Sequence, residues 1–180
     1  GDSLTYVRTA GRLVTGTELV TNGTFDTDTT GWTDGGSQYL TVSWDAGVAK
    51  VEWGGVNFSS WYSLQQTIST VVGKTYAISA DVTVSAGSSL GTKFRVDTQK
   101  IGDFVKNGTA TATFVATSTS TLIETTHDGP LATGEFFTVD NISVQELDVD
   151  PSVPRYLPRQ NDHIYNTATS TWDNAGILIE

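Results

Sequence analysis

The side chains able to do chemistry in this chain are its carboxylates, its two histidines and its aromatics. Acids are plentiful, Asp45, Glu52, Asp81, Asp97, Glu124 and Glu135 among them, but none sits in a catalytic spacing. His127 and His163 lie in different segments, beside Asp128 and Asp162. They form no His-x-x-x-His pair, and the chain contains no Gly-x-Ser-x-Gly elbow. With no cysteine, thiol catalysis, disulfides and zinc–thiolate sites are excluded. Acids dispersed in this way read as a solvated acidic surface, so the chain is expected not to be an enzyme.

The aromatics carry more information: five Trp, six Tyr and seven Phe. Phe25, Tyr76 and Phe114 fall in regular alternation and are expected in the core. Trp44 and Trp53 end two runs that read as a hairpin through Asp45-Ala46-Gly47. Asn57, Phe58, Trp61 and Tyr62 lie in a Gly-Ser-rich loop, where bulky rings have no evident packing reason. Rings in that setting form a ligand platform, cap a core or meet another subunit.

The elements that must position these residues are β-strands. Thr, Val, Gly, Ser and aromatics dominate, and no stretch keeps a 3.6-residue apolar rhythm. In Lys74 to Val84, Tyr76, Ile78, Ala80, Val82 and Val84 share one face; Ala110 to Thr117 alternates likewise. Further runs cover Gln38 to Trp44, Val48 to Trp53, Leu64 to Ser69, Lys93 to Asp97, Thr119 to Thr126 and Glu135 to Leu147. Short strands between Gly, Asp, Asn and Ser turns predict an all-β jelly-roll β-sandwich. Leu4 to Thr15 reads as a hairpin, and Asp148 to Pro154 as an acidic, proline-bearing linker.

Composition narrows the partners. Twenty acids against 10 Lys plus Arg give a formal net charge of −10, the wrong sign for tracking phosphates, so nucleic acid is not expected. Anionic polymers would be repelled at long range unless a local basic patch or a bridging cation intervened. No apolar run approaches bilayer length, and membrane insertion is not expected. Methionine is absent even at position 1, as in a processed product or excised fragment.

Three motifs in order carry a family resemblance. The first is Leu19-Val20-Thr21-Asn22-Gly23-Thr24-Phe25-Asp26 followed by Gly31-Trp32. Next come Gly73-Lys74-Thr75-Tyr76-Ala77-Ile78-Ser79-Ala80 and then Val139-Asp140-Asn141-Ile142-Ser143-Val144. Residues 18–147 thereby resemble carbohydrate-binding modules of the family 4, 9 and 22 type. The resemblance implies a buried Trp32 and a structural Ca²⁺ where the first and last strands meet. It carries that site onto Thr24, Gly47 and Asp140, with Asp26 a further candidate. Backbone carbonyls plus one carboxylate suit Ca²⁺. It also implies a polysaccharide or surface glycan as partner, bound by stacking aromatics and hydroxyl-binding polar groups. The candidates are Trp53, Asn57, Phe58, Trp61, Tyr62, Gln65 and Arg95, with Gln66 and Gln99 as further hydroxyl partners.

The chain ends resemble something else. Thr5-Tyr6-Val7 with Gly11-Arg12-Leu13-Val14, then Val153-Pro154-Arg155-Tyr156 and Gly176-Ile177-Leu178-Ile179-Glu180, are similar to a segment of phage tail and minor structural proteins. That resemblance implies a small platform of residues 1–17 and 148–180 from which the module projects. It also implies a virion or extracellular location and a possible homo-oligomer, a trimer as in phage fibres. The expected function is non-catalytic glycan binding by a phage tail-type protein; the alternative is a structural or oligomerisation module of a virion with no sugar affinity.

Overall fold

The computed structural model describes residues 8–9, 12–14, 16–35, 40–54, 64–86, 91–97, 99–127, 132–148, 163–166 and 171–174. Residues 8–9, 12–14, 148, 163–166 and 171–174 are described by backbone alone. The chain divides into two units, Gly1–Val149 and Asp150–Glu180, so the division falls inside the acidic linker. The second unit contributes one antiparallel hairpin, formed by strands His163–Asn166 and Thr171–Asn174.

In the first unit the strands are β1 (Arg8–Thr9), β2 (Arg12–Val14), β3 (Leu40–Asp45), β4 (Val48–Trp53), β5 (Gln65–Ser69) and β6 (Thr75–Val84). They continue as β7 (Thr92–Val96), β8 (Gln99–Val105), β9 (Asn107–Val115), β10 (Ser120–His127) and β11 (Phe136–Asp148). The hairpin in the second unit supplies β12 and β13. One sheet runs β1-β2-β11-β4-β3, with β6 on the other edge of β11 and β9 beyond β6. The second sheet runs β5-β10-β7-β8, and all pairings are antiparallel. No helix occurs among the described residues. The fold is an all-β jelly-roll sandwich, as the alternation predicts.

Alternation also decides what is inside. In β4 Ala49, Val51 and Trp53 are fully buried, and in β6 Tyr76, Ile78, Ala80 and Val82 are buried while Ala77, Ser79 and Asp81 between them are half-exposed. Phe25, Leu64, Phe94, Ile123, Phe137 and Val139 complete a core drawn from both sheets. Tyr76 stacks on its cross-strand partner Phe114 at 5.4 Å between ring centres, and Phe25 packs against Trp32 at 5.7 Å. Each such pair adds about 1 kcal/mol beyond its area burial. Trp32 is buried, and its indole N–H reaches the carbonyls of Thr21 (3.1 Å) and Asn22 (3.0 Å).

The edge of β11 opposite β6 is shared by three pieces of chain. β4 pairs with Phe136 to Val139, and β2 pairs with Leu147 and Asp148. Between them the segment 16–23 lies antiparallel to β11 as a strap. Gly16 N donates to Glu146 O (3.3 Å), Leu19 N to Val144 O (3.0 Å) and Ile142 N to Gly23 O (2.9 Å). Glu18 reinforces it: its Oε1 accepts from Val20 N and Val144 N, and its Oε2 from Ser143 Oγ (2.6 Å). A bulge between Asp140 and Ser143 makes the join possible. It places Asn141 in the left-handed region (φ 51°), which asparagine tolerates, and leaves Ile142 buried with its amide directed to Gly23.

The β3–β4 hairpin closes where Asp45-Ala46-Gly47 suggests. Ala46 (φ 49°) and Gly47 (φ 96°) are both left-handed, as a two-residue hairpin turn matched to strand twist requires. β8 is not evident in the sequence. It is an edge strand with little burial contrast, interrupted by Gly102 at φ 72°, so it carries no period-two signal.

Gly23 and Gly47 separate two roles of glycine. A Cβ at Gly23 would lie 2.0 Å from Ile142 O, whereas nothing lies within 4 Å of one at Gly47. Gly23→Ala is expected to cost about 2–4 kcal/mol, by forcing the strap off β11. Gly47→Ala is expected to cost about 1 kcal/mol, from backbone strain alone. Urea denaturation of the two variants checks the contrast; equal losses would show that the strap contact is not tight.

Candidate functional site

The face of the four-stranded sheet turned away from the core is polar. Antiparallel register sets one residue from each strand side by side: Gln65 on β5 opposes Glu124 on β10, Glu124 opposes Arg95 on β7, and Arg95 opposes Lys100 on β8. In the next row Thr126 opposes Lys93. Each is the outward member of its alternation, with Gln66, Ile68, Ile123 and Phe94 pointing into the core.

Two of these groups are nearly removed from water. The side chains of Arg95 and Glu124 are 15% and 2% exposed, and Nη1 meets Oε2 at 2.8 Å. Burial pushes the Glu124 carboxyl above the ordinary carboxylate range; Arg95 opposes this by its charge and hydrogen bond, and Asp97 adds to it. A buried pair of this kind contributes little net stability, because desolvation consumes most of the Coulombic gain. Its effect is to hold two polar heads in one geometry. At the sheet's far side Lys93 Nζ sits 4.1 Å from the centre of the Phe104 ring and donates to Gly102 O (3.3 Å). Phe104 is 36% exposed, so this edge presents an aromatic ring beside a cation. Phe104 is missed by sequence reasoning because β8 itself is not legible there.

The expected ligand residues separate on inspection. Gln65 and Arg95 share the outward row. Trp53 corrects an expectation: it is fully buried between the sheets, edge-on to His127 at 6.4 Å, and therefore no exposed platform. Its position two and four residues from Val51 and Ala49 settles this, since a strand end keeps the face of its alternation. Gln66 is also corrected. Its amide is buried and engaged by Thr21 N (2.9 Å), Thr21 O (2.9 Å) and Gly31 O (3.1 Å), locking the signature loop to the small sheet. Gln99 is exposed at the start of β8. Asn57, Phe58, Trp61 and Tyr62 lie outside the described residues.

Thr24, Gly47 and Asp140 are brought to one end of the large sheet. Thr24 lies between Gly23, bonded to Ile142, and Phe25, whose carbonyl accepts the indole N–H of Trp44 at 2.7 Å. Trp44 belongs to the hairpin whose turn contains Gly47, and Ala49 of that hairpin pairs with Val139, next to Asp140. Asp140 is half-exposed and Asp26 exposed. Asp140 Oδ1 accepts from Asn141 N (2.7 Å) and Oδ2 from Asn141 Nδ2 (3.2 Å). Asp81 stands directly opposite Asp140 in register, a repulsive placement that hydrogen bonding relieves. Thr109 Oγ1 (2.6 Å) and then Asn141 Nδ2 (3.0 Å) donate to Asp81 and hold its carboxyl below the ordinary range. That contribution to stability is present above the ordinary carboxylate value and is lost as pH falls towards the lowered one. Among the described residues no group of three or more His, Cys, Asp or Glu side chains is placed to hold a metal. A cation here would draw on one carboxylate and backbone carbonyls, an oxygen set that fits Ca²⁺.

No protein-family model matches the chain, and no curated protein matches it. Solved structures do. The CBM22-1 xylan-binding domain of Xyn10C from Paenibacillus barcinonensis is similar at 18% identity and a TM-score of 0.54, over 73% of this chain and 95% of that one. The CBM22-1–CBM22-2 tandem domain of the same protein gives 16% identity and a TM-score of 0.55, over 80% of this chain and 49% of that one. The CBM22-1–GH10 modules of Clostridium thermocellum endo-1,4-β-D-xylanase 10B, complexed with xylohexaose, give 21% and 0.52, over 73% of this chain and 29% of that one. The chain thus spans nearly all of the first structure, about half of the second and under a third of the third. At these identities the likeness establishes the fold, a jelly-roll sandwich of the carbohydrate-binding-module type.

Removing Arg95 leaves the Glu124 carboxylate buried without its counter-charge. Arg95→Leu is expected to lose about 3–5 kcal/mol near neutral pH. Because the folded-state pKa of Glu124 is raised, stability falls as pH rises above the ordinary carboxylate range, so the deficit should shrink as pH is lowered from neutral towards that range. Replacing both residues by Leu should restore most of it. Urea melts across that range decide the matter; a deficit independent of pH would show that lost packing dominates.

Proposed function

We propose that this chain is a non-catalytic carbohydrate-binding module whose ligand lies across the outer face of the four-stranded sheet. The observation that carries the reading is the row Gln65–Glu124–Arg95–Lys100, with its buried ion pair, beside the exposed Phe104 ring. Sugars are recognised by rings packed on their apolar faces and by polar groups already held in place, which lowers the ordering cost of binding. Gln65 and Lys100 supply the accessible polar groups of the row, the ion pair fixes its middle, and Phe104 supplies a ring. Asn57, Phe58, Trp61 and Tyr62 remain candidates, since their segment leads directly into β5 and Gln65. The similar xylan-binding domain and the xylohexaose-bound modules support a polysaccharide ligand. The terminal segments support a phage tail-type protein acting on a host-surface or environmental glycan, outside the cell.

A structural Ca²⁺ held by Thr24, Gly47 and Asp140, with Asp26 nearby, belongs to the same reading. It would brace the strap, the β3–β4 turn and the bulge of β11, and would take no part in sugar contact.

Two measurements test this. On a glycan array the chain is expected to give hits that Phe104→Ala and Trp61→Ala each weaken by about tenfold or more without changing the melting temperature. An array without hits, together with a concentration-dependent oligomer in light scattering, would replace this reading with a structural module of a virion. For the cation, chelator is expected to lower the melting temperature and Ca²⁺ to restore it; an unchanged melt removes the metal.

A further inference from the structure

The charges of the molecule are segregated. Four of the six Lys and Arg between positions 18 and 147 fall between 93 and 106: Lys93, Arg95, Lys100 and Lys106. Only Asp97 and Asp103 accompany them there, in a chain of net charge −10. Three of these cations share the outer face described above. Arg95 and Lys100 stand directly opposite each other on neighbouring strands, with Glu124 paired to Arg95 on its other side. Asp97 Oδ1 is occupied by Leu122 N at 3.0 Å, on the backbone of β10. Lys93, in the next row, is held by Gly102 O and the Phe104 ring and forms no ion pair among the described residues. Beside it the hydroxyl of Thr126 is fully buried and has no hydrogen-bond partner among the described residues.

A cation held over an aromatic ring, next to two further cations, matches a sugar unit that itself bears a negative charge. We propose that the ligand of this face is an anionic glycan, with carboxylated or sulfated units whose charge meets Lys93 while the sugar ring packs against Phe104. This rests on the reading that the face binds carbohydrate, and it names the ligand class. The local surplus of cations removes the long-range penalty that the net charge imposes elsewhere.

The test uses the whole chain and calorimetric titration with three probes at low and high NaCl: an oligogalacturonate, a sulfated galactan oligosaccharide and neutral xylohexaose. At least one anionic probe is expected to bind about tenfold or more tighter than xylohexaose, and to weaken as salt rises. Lys93→Gln should cut anionic binding about tenfold, and Lys93→Arg should retain most of it. The two anionic probes distinguish carboxylate from sulfate. Xylohexaose binding equal to or tighter than both, without salt dependence, overturns the anionic ligand and leaves sugar binding standing. A chain that binds none of the three and gives no hits on a glycan array overturns both.

Discussion

The pairing of the strap with β11 is the contact on which the other features hang. A jelly roll needs its first and last strands to meet, and here they meet through three backbone hydrogen bonds and the Glu18 carboxylate. The bulge at Asn141 is the device. One extra residue leaves Ile142 in the core and its amide facing Gly23, and the absence of a side chain at Gly23 lets the two backbones close. From that contact Thr24 is placed beside Phe25, Phe25 beside Trp44, and Trp44 on the hairpin that bears Gly47. The same loop is tied to the small sheet by the Gln66 amide, so the two layers are registered to one another.

The two sheets have different tasks. The large sheet supplies most of the buried apolar surface and carries both chain ends of the module. The small sheet has four strands and bears a polar outer face with an ion pair withdrawn from water. Stability alone would favour apolar side chains in place of Arg95 and Glu124. A sheet that retains them gains a fixed geometry between β7 and β10. Fold by itself does not assign function.

Charge adds a second constraint. An acidic molecule repels acidic polymers at a distance, yet salt screens that repulsion beyond about 8–10 Å, and contact is governed by the local groups. β7 and β8 carry the local groups of opposite sign. Lys93 over Phe104 joins a charge to a ring at that edge.

The period-two alternation of a chain rich in Thr, Val and aromatics determined the β class, most strand positions and the core placement of Tyr76 and Phe114. This is because strand side chains alternate between water and core wherever a sheet has one buried face. The Asn-Gly-Thr-Phe-Asp and Asp-Asn-Ile-Ser-Val motifs were legible too, since each encodes a local backbone need: a close approach at Gly23 and a bulge at Asn141. Strand partnership was decided by the tertiary structure. Which strand lies beside which determines that Glu124 falls between Gln65 and Arg95, residues 29 to 59 positions away in sequence, and no local pattern records that. The same cause explains Trp53 and Gln66. Side chains able to stack or to bond hydroxyls look alike in sequence whether they face water or the opposite sheet, and only packing assigned them to the core.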